Sequence, residues 1–414
     1  LLKLFNTLTN KKEKFKPREA GKVEMYTCGP SVYRKPHIGN YRTFLYEDVL
    51  QRYLEYIGYD VVRLVTITDV EDKSIAEAER EGMPLEELTQ KNMAIFLSDI
   101  KLLKMKPPNY APRSSTSVDQ AVDLTKTLLE KGYAYWYRYK SRHNAYYDPL
   151  KFKDFGKVSH LNMSEWPEKK RRFHRDTYPS TPWNKGDFVL WHGYKEGDKA
   201  YWDTEIGRGR PAWNVQDAAM VAKHLGFSVD VACGGVDNLA RHHDYTVAVA
   251  EGVSSRDFAR YWLHGEHLFV DGKKMSKSRG NVYYPETLIE KGYEREHIRF
   301  FLIYGQYRKK LNFTLKKLEE RTQRLNRLKN MVAELQKAES TSSDDSAENM
   351  AEEIAVAFKQ HMNNDLDVKA AFDDVFTVVS KLKTLRKEGK LSHRDAQTAI
   401  TNLRKIDNVL KVIF

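Results

Sequence analysis

The chain has 414 residues, of which 41 % are hydrophobic, 30 % charged and 12 % aromatic, a globular composition that excludes disordered and collagen-like classes. With 69 Lys and Arg against 57 Asp and Glu, the formal net charge is +12. That surplus suits polyanion partners such as nucleic acid or phosphates, and equally a soluble basic surface. Two cysteines, Cys28 and Cys233, rule out a disulfide framework and suit a reducing compartment.

No run approaches the roughly 18 apolar residues that span a bilayer. Leu1 to Lys16 holds no apolar core of signal-peptide type. The expectation is a cytoplasmic monomer without a membrane partner, built from several domains at about 100–200 residues each.

In chain order, Val23 to Cys28 is a short β-prone run stopped by Gly29-Pro30. Tyr41 to Tyr59 carries Phe44, Leu45, Val49, Leu50, Tyr53, Leu54 and Ile57 at helical spacing, with Gly58 as the stop. Asp60 to Thr68 is dense in Val, Leu and Ile and predicts a buried strand. Strand, helix, strand opens a βαβ unit with a parallel sheet. Helical patterns fill Lys73 to Met105 and Thr116 to Lys131. From Tyr133 to Gly209, aromatics, Pro, Gly and basic residues such as Glu168 to Arg172 mix without a long period, which predicts an insert of short strands and loops. The α/β pattern returns with a helix over Ala212 to Leu225, a strand over Ser228 to Val231 and a helix over His242 to Glu251. A strand region over Tyr261 to Val270 leads into a Lys-rich loop.

After Gly305 the pattern is helical. Arg308 to Lys337 holds ten basic and three acidic residues, a local surplus of +7. Ala338 to Ala347 is rich in Ser and Asp and predicts a linker, and helices finish the chain. The expected division is 1–132 and 210–260 for two halves of an α/β domain with a parallel sheet, 133–209 for the insert, 261–305 for the Lys-rich loop region and 306–414 for an all-α bundle.

Two motifs carry chemistry. Pro36-His37-Ile38-Gly39-Asn40 follows the first strand and opens a helix. A helix N-terminus offers free N–H groups and a positive dipole end to a phosphate. Gly39 permits close approach, and His37 can donate to a phosphate oxygen. A His before a helix also serves as an ordinary cap. The second motif is Lys274-Met275-Ser276-Lys277-Ser278. Two lysines three apart on a loop can clamp a triphosphate and its transition state.

Together with Thr27 to Tyr33, Ile67 to Lys73, Asp187 to Trp191, Gly234 to Asp237, His242-His243 and Asn364 to Asp367, these stretches resemble the cysteinyl-tRNA synthetase branch of the class I aminoacyl-tRNA synthetases. The resemblance runs from Leu4 to about Leu410. It implies a Rossmann-type domain that uses ATP and Mg2+ to form an aminoacyl-adenylate. His37, Asn40, Lys274 and Lys277 would act on the phosphates. Gly39, Gly235, Asp237 and Met275 would complete the ATP site, with Asp237 on the ribose hydroxyls. Cys28, Gly29, Thr68, Trp213, Asp217, His242 and Thr246 would line the amino-acid pocket. The basic helical region would face tRNA.

The family holds Zn2+ in that pocket through two Cys, one His and one Glu. Here the first Cys maps to Cys28 and the His to His242, but the second Cys maps to Asp217 and the Glu to Thr246. A pocket-lining His maps to Ala232. The metal set is reduced to Cys28, His242 and Asp217, and Thr is a poor zinc ligand. Two expectations stay open. Either His243, Asp244 or Cys233 substitutes as a ligand, or zinc is lost and Asp217 takes a donor from a different substrate side chain. The family usually continues into an anticodon-reading domain, whereas this chain stops at the bundle. A related ligase, which joins cysteine to the amino sugar of mycothiol, stops there too. The acceptor is therefore tRNA or a small amine.

Overall fold

The computed structural model describes residues 1–139, 141–163, 186–275, 279–341 and 344–414. A hairpin, β1 (Lys3–Asn6) and β2 (Lys11–Lys14), precedes β3 (Lys22–Thr27), α1 (Ile38–Tyr56) and β4 (Asp60–Val65). Strands β3 and β4 pair in parallel from Lys22 opposite Asp60 to Thr27 opposite Val65. The helical stretch over Lys73 to Met105 breaks into α2 (Asp72–Glu81) and α3 (Leu85–Leu102), because Gly82 adopts φ +65° as the left-handed cap of α2. Helix α4 (Val118–Glu130) follows.

The insert is an antiparallel sheet of β5 (Ala134–Tyr139), β6 (Arg142–Tyr147), β7 (Phe188–Gly193) and β8 (Gly209–Pro211), paired in that order. The basic run Glu168 to Arg172 lies outside the described residues. The α/β pattern then resumes with α5 (Trp213–Leu225), β9 (Val229–Gly235) and the single turn α6 (Val236–Asn238). A π-helical turn over Leu239–His243 leads into α7 (Asp244–Ser254) and β10 (Ala259–Gly265).

The central sheet has the order β10-β9-β3-β4 and is parallel throughout. Alternate side chains divide between its two faces, as the strand period requires. Met25, Val231, Cys233 and Leu263 pack towards α1, whereas Tyr26, Ala232 and Trp262 pack with residues of α4, α5 and α7. The chain leaves β3 towards one edge and β9 towards the other. A crevice therefore opens beyond the C-terminal ends of β3 and β9, where a parallel sheet of this kind binds its ligands.

The stretch expected as one strand over Tyr261 to Val270 divides. Its second part, β11 (Leu268–Val270), joins a small separate sheet with β12 (Lys273–Lys274). Asp271 and Gly272 both have positive φ, +49° and +72°, the hairpin conformation that matches strand twist. That turn returns the chain along β11, with Lys274 opposite Phe269. Then come α8 (Pro285–Glu290), α9 (Arg295–Ile303) and β13 (Leu311–Phe313), which pairs in parallel with β11.

Four long helices close the chain: α10 (Leu315–Leu335), α11 (Asp345–Met362), α12 (Val368–Lys387) and α13 (His393–Leu410). Each has a Ser, Thr or Asp cap, namely Thr314, Asp344, Asp367 and Ser392. Asp365, fully buried, accepts from the Phe5 amide, Tyr307 and Arg308, so the turn before α12 ties strand β1 to the bundle. Arg42 on α1 donates to the carbonyls of Glu266, Leu302, Gln306, Tyr307 and Lys309. It locks the helix of the first motif to the segment that follows the second.

Candidate active site

Helix α1 starts at Ile38, three residues before the apolar periodicity does, because the first motif caps it. The Asn40 amide donates to His37 Nδ1 at 3.3 Å, and the His37 amide donates to Asn40 Oδ1 at 2.9 Å. This reciprocal capping box fixes the tautomer: Nδ1 accepts, so the proton sits on Nε2, available to a ligand. Burial pushes the His37 imidazole below its ordinary pKa, against the nearby Asp237 carboxylate, which pulls it up. His37 is therefore both a cap and a neutral donor at a helix N-terminus.

Gly39 shows how the two motifs meet. A Cβ there would lie 2.4 Å from Met275 Cε and 3.0 Å from His37 Cε1. Met275 thus covers the opening turn of α1, although 236 positions separate the two residues. Lys274 is exposed on β12, and its carbonyl accepts from Arg279 and Asn281. Lys277, with Ser276 and Ser278, lies outside the described residues. On the far side of the crevice, Gly235 ends β9 and caps α6, which carries the exposed Asp237. A Cβ on Gly235 would meet Asp237 Oδ1 at 2.5 Å.

The residues expected to line an amino-acid pocket begin where Cys28 leaves β3. The Cys28 amide donates to the Cys233 carbonyl at 3.0 Å. Gly29 is required by crowding, since a Cβ would stand 1.9 Å from the Thr66 carbonyl oxygen. Thr68 pairs with the next turn: its amide donates to Pro30 O, and its carbonyl accepts from the Val32 amide. Trp213 and Asp217, four apart on α5, share a face. The Trp213 ring stacks on His242 at 5.5 Å and 21°. His242 Nε2 lies 2.7 Å from Asp217 Oδ2, and the Tyr26 hydroxyl donates to the same oxygen. Cys28 Sγ accepts from Asn238 Nδ2 at 3.3 Å.

Burial alone would push the Asp217 carboxyl up. The His242 imidazole and the hydroxyls of Tyr26 and Thr66 outweigh it and hold the group below its ordinary value. Burial would likewise push His242 down, but Asp217 brings it above its ordinary value. The Cys28 thiol is pushed well up, by burial first and by Asp217 next, so it keeps its proton. Asp217 is 2 % exposed and supplied with donors by the protein itself. That corrects the expectation that Asp217 stands open for a substrate donor.

Cys28, Asp217 and His242 bring their donor atoms within 4.8 Å of one another, so the structure gathers the three residues the sequence nominated. Among the described residues it does not add a fourth. Thr246 turns its hydroxyl to the His242 carbonyl. His243 pairs with His264, which reaches Thr7. Cys233 is buried on the opposite face of the sheet, and Asp244 accepts from the Ser159 amide. The expectation that His243, Asp244 or Cys233 substitutes as a ligand is not met. This donor set does not fit a structural zinc, which closes a shell of four ligands. Tyr26 and Asn238 were missed by the sequence reading. Tyr26 carried a signal, because in the extended run expected over Val23 to Cys28 positions 26 and 28 face the same side. Asn238 carried none.

The basic surplus of Arg308 to Lys337 is partly spent inside the fold. Arg308 pairs with Asp365 and Arg324 with Asp373, while Arg321 donates to the Phe301 carbonyl and lies over the Phe301 ring. Lys316 and Lys317 stay exposed on the first turn of α10.

The profile of a family described as "tRNA synthetases class I (C) catalytic domain" matches residues 14–323. A cysteine–tRNA ligase of Chlamydia pneumoniae is 37 % identical over 416 residues, covering 100 % of this chain and 86 % of the relative. One from Brachyspira hyodysenteriae is 35 % identical over 411 residues, covering 98 % and 85 %. Among solved structures, Mycobacterium tuberculosis methionyl-tRNA synthetase bound by methionyl-adenylate matches with a TM-score of 0.69 at 14 % identity, covering 94 % of this chain and 92 % of that one. The ternary complex of Agrobacterium radiobacter K84 agnB2 LeuRS with tRNA and LeuAMS matches with a TM-score of 0.72 at 11 % identity, covering 97 % and 85 %. At such identities the two structures speak for the fold alone.

Proposed function

The chain belongs to the class I (C) tRNA synthetase family, and from that premise we propose that its crevice activates an amino acid with ATP and passes it to tRNA. In the first step a carboxylate oxygen of the amino acid attacks the α-phosphorus of ATP. The new P–O bond forms as the bond to the β-phosphate breaks, and pyrophosphate leaves. In the second step a ribose hydroxyl of the acceptor attacks the acyl carbonyl, AMP leaves, and the hydroxyl proton is given up. Mg2+ enters with the triphosphate as part of that substrate.

His37 Nε2–H and the N-terminus of α1 stabilise charge on the transferring phosphate. Lys274 and Lys277 neutralise the departing pyrophosphate, Met275 seats their loop against Gly39, and Asp237 accepts from the ribose. Cys28, Gly29, Thr68, Trp213 and His242 line the amino-acid side. The observation that supports this reading best is the contact of Met275 with Gly39 at the mouth of the β3–β9 crevice, because it joins both phosphate motifs at one site. For tRNA, the exposed Lys316 and Lys317 support a phosphate-binding surface. A small amine as acceptor is not favoured by relatives that are cysteine–tRNA ligases. The domain division at residues 132, 209, 260 and 305, a monomeric state and a cytoplasmic site belong to the same proposal. Among the described residues, no helix is long and apolar enough to cross a membrane.

The test is ATP–pyrophosphate exchange with single amino acids, followed by acylation of total tRNA. Exchange that depends on one amino acid, with charged tRNA as product, is the expected result. No exchange with any amino acid would overturn the reading.

A further inference from the structure

The donors of the amino-acid pocket are already matched to one another. Asp217 Oδ2 receives the Tyr26 hydroxyl and His242 Nε2 together, the latter at 2.7 Å. Two ligands on a tetrahedral zinc, each about 2.0–2.1 Å from the ion, stand about 3.3 Å apart. The observed spacing is that of a shared proton. A metal on Oδ2 and Nε2 would have to displace that proton and push the two groups apart. It would also compete with the hydroxyl of Tyr26, which is fully buried, and an unsatisfied buried hydroxyl is costly. Asn238 Nδ2 is bonded to Cys28 Sγ, and Asn238 Oδ1 accepts from the Gly235 amide at 3.3 Å. Thr246 Oγ1 is committed to the His242 carbonyl at 2.9 Å.

We propose that this pocket holds no zinc and that a Tyr26–Asp217–His242 hydrogen-bond chain takes over the positioning task, fixing the His242 ring against Trp213 as a metal-free floor for the substrate side chain. Tyr26 and Asp217 are positioning residues, since they act through His242. The chain joins strand β3, helix α5 and the π-helical turn before α7, three elements that the crevice needs in fixed relation. Aspartate at 217 and threonine at 246 belong to one exchange. The aspartate supplies the acceptor that a thiolate would supply poorly, and the threonine closes on its own helix instead of reaching into the pocket. The proposal rests on the synthetase reading for the pocket's purpose, but its first readout, metal content, does not depend on activity.

The experiment measures zinc per chain by elemental mass spectrometry on full-length protein made in zinc-supplemented medium and purified without chelator. The expected content is below about 0.1 per chain, and added zinc should leave the unfolding midpoint unchanged. The Asp217→Cys/Thr246→Glu double variant should raise the content severalfold. About one zinc per wild-type chain, lost in Asp217→Ala, would overturn the proposal, whatever the double variant does. In exchange assays, chelator should leave the wild-type rate within twofold. Tyr26→Phe and Asp217→Asn should raise KM for the amino acid about tenfold, with KM for ATP unchanged. Equal losses in both KM values would show a merely structural role. Absence of exchange with normal metal-free folding would instead defeat the synthetase reading.

Discussion

Gly39→Ala tests whether the two phosphate motifs work as one unit. The added methyl would sit 2.4 Å from Met275 Cε, about 1 Å short of the ~3.5 Å at which two carbons meet comfortably. The His37 ring, at 3.0 and 3.1 Å, blocks retreat on the other side. Met275 ends in a flexible thioether, so the fold should absorb the strain by moving that loop. In stability the change is small, from neutral to about 2 kcal/mol destabilising: Ala gains at most about 1 kcal/mol over Gly in a helix, against an overpacking cost of about 1–3 kcal/mol. In activity it is not, because a displacement of about 1 Å at a reacting site can cost about 10²-fold, or about 2.7 kcal/mol. The assay is ATP–pyrophosphate exchange beside a thermal melt. The expected result is a loss of about 10²-fold in kcat/KM with a midpoint within a few degrees of wild type. Met275→Ala in the Gly39→Ala background should recover part of that loss, because it removes the colliding atom. Exchange within threefold of wild type in Gly39→Ala would refute the idea that Met275 must seat there for catalysis.

Lys277→Ala should lower exchange by about 10²-fold or more, with KM for the amino acid little changed, the signature of a lost transition-state charge contact; unchanged kinetics would remove Lys277 from the phosphate clamp. Glu296 has its carboxyl pushed down to about 2: burial would raise it, but the Lys104 ammonium, a backbone amide and Arg295 together more than compensate. A lowered folded-state pKa means stability that is complete above the unfolded value of about 4.3 and lost as pH falls towards 2. Glu296→Gln should therefore flatten that acid limb in denaturant titrations between about pH 5 and pH 2, and an unchanged limb would exclude the pair as its source. Lys316→Ala and Lys317→Ala should each weaken tRNA binding and shallow the dependence of log K on log salt by about one unit, measured by filter binding across a salt series. A slope that does not move would take the first turn of α10 out of the tRNA surface.

Local sequence pattern was enough for the architecture. The βαβ opening, the return of the α/β pattern at Ala212 and the helical tail all follow from periods of 2.0 and 3.6, which depend only on neighbours along the chain. The local geometry of the first motif was legible for the same reason. His37, Gly39 and Asn40 act within one helical turn, and their capping box forms from residues three apart. The region over Tyr261 to Val270 breaks at Glu266-His267, between β10 and β11, and Asp271-Gly272 marks only the later turn from β11 to β12.

What the sequence could not assign was how each polar group is spent. Asp217 looked like a free charge awaiting substrate, and only the packing of β3, α5 and the turn after β9 shows Tyr26 and His242 holding it. The surplus of +7 looked like one nucleic-acid surface, and only the fold shows Arg308, Arg321 and Arg324 turned inward to Asp365, Phe301 and Asp373. The physical reason is common to both. A side chain's charge is written in its residue type, but its partners can lie far along the chain, 191 positions for Tyr26 and Asp217, and desolvation makes those distant partners decide whether the charge faces a ligand or the protein's own interior.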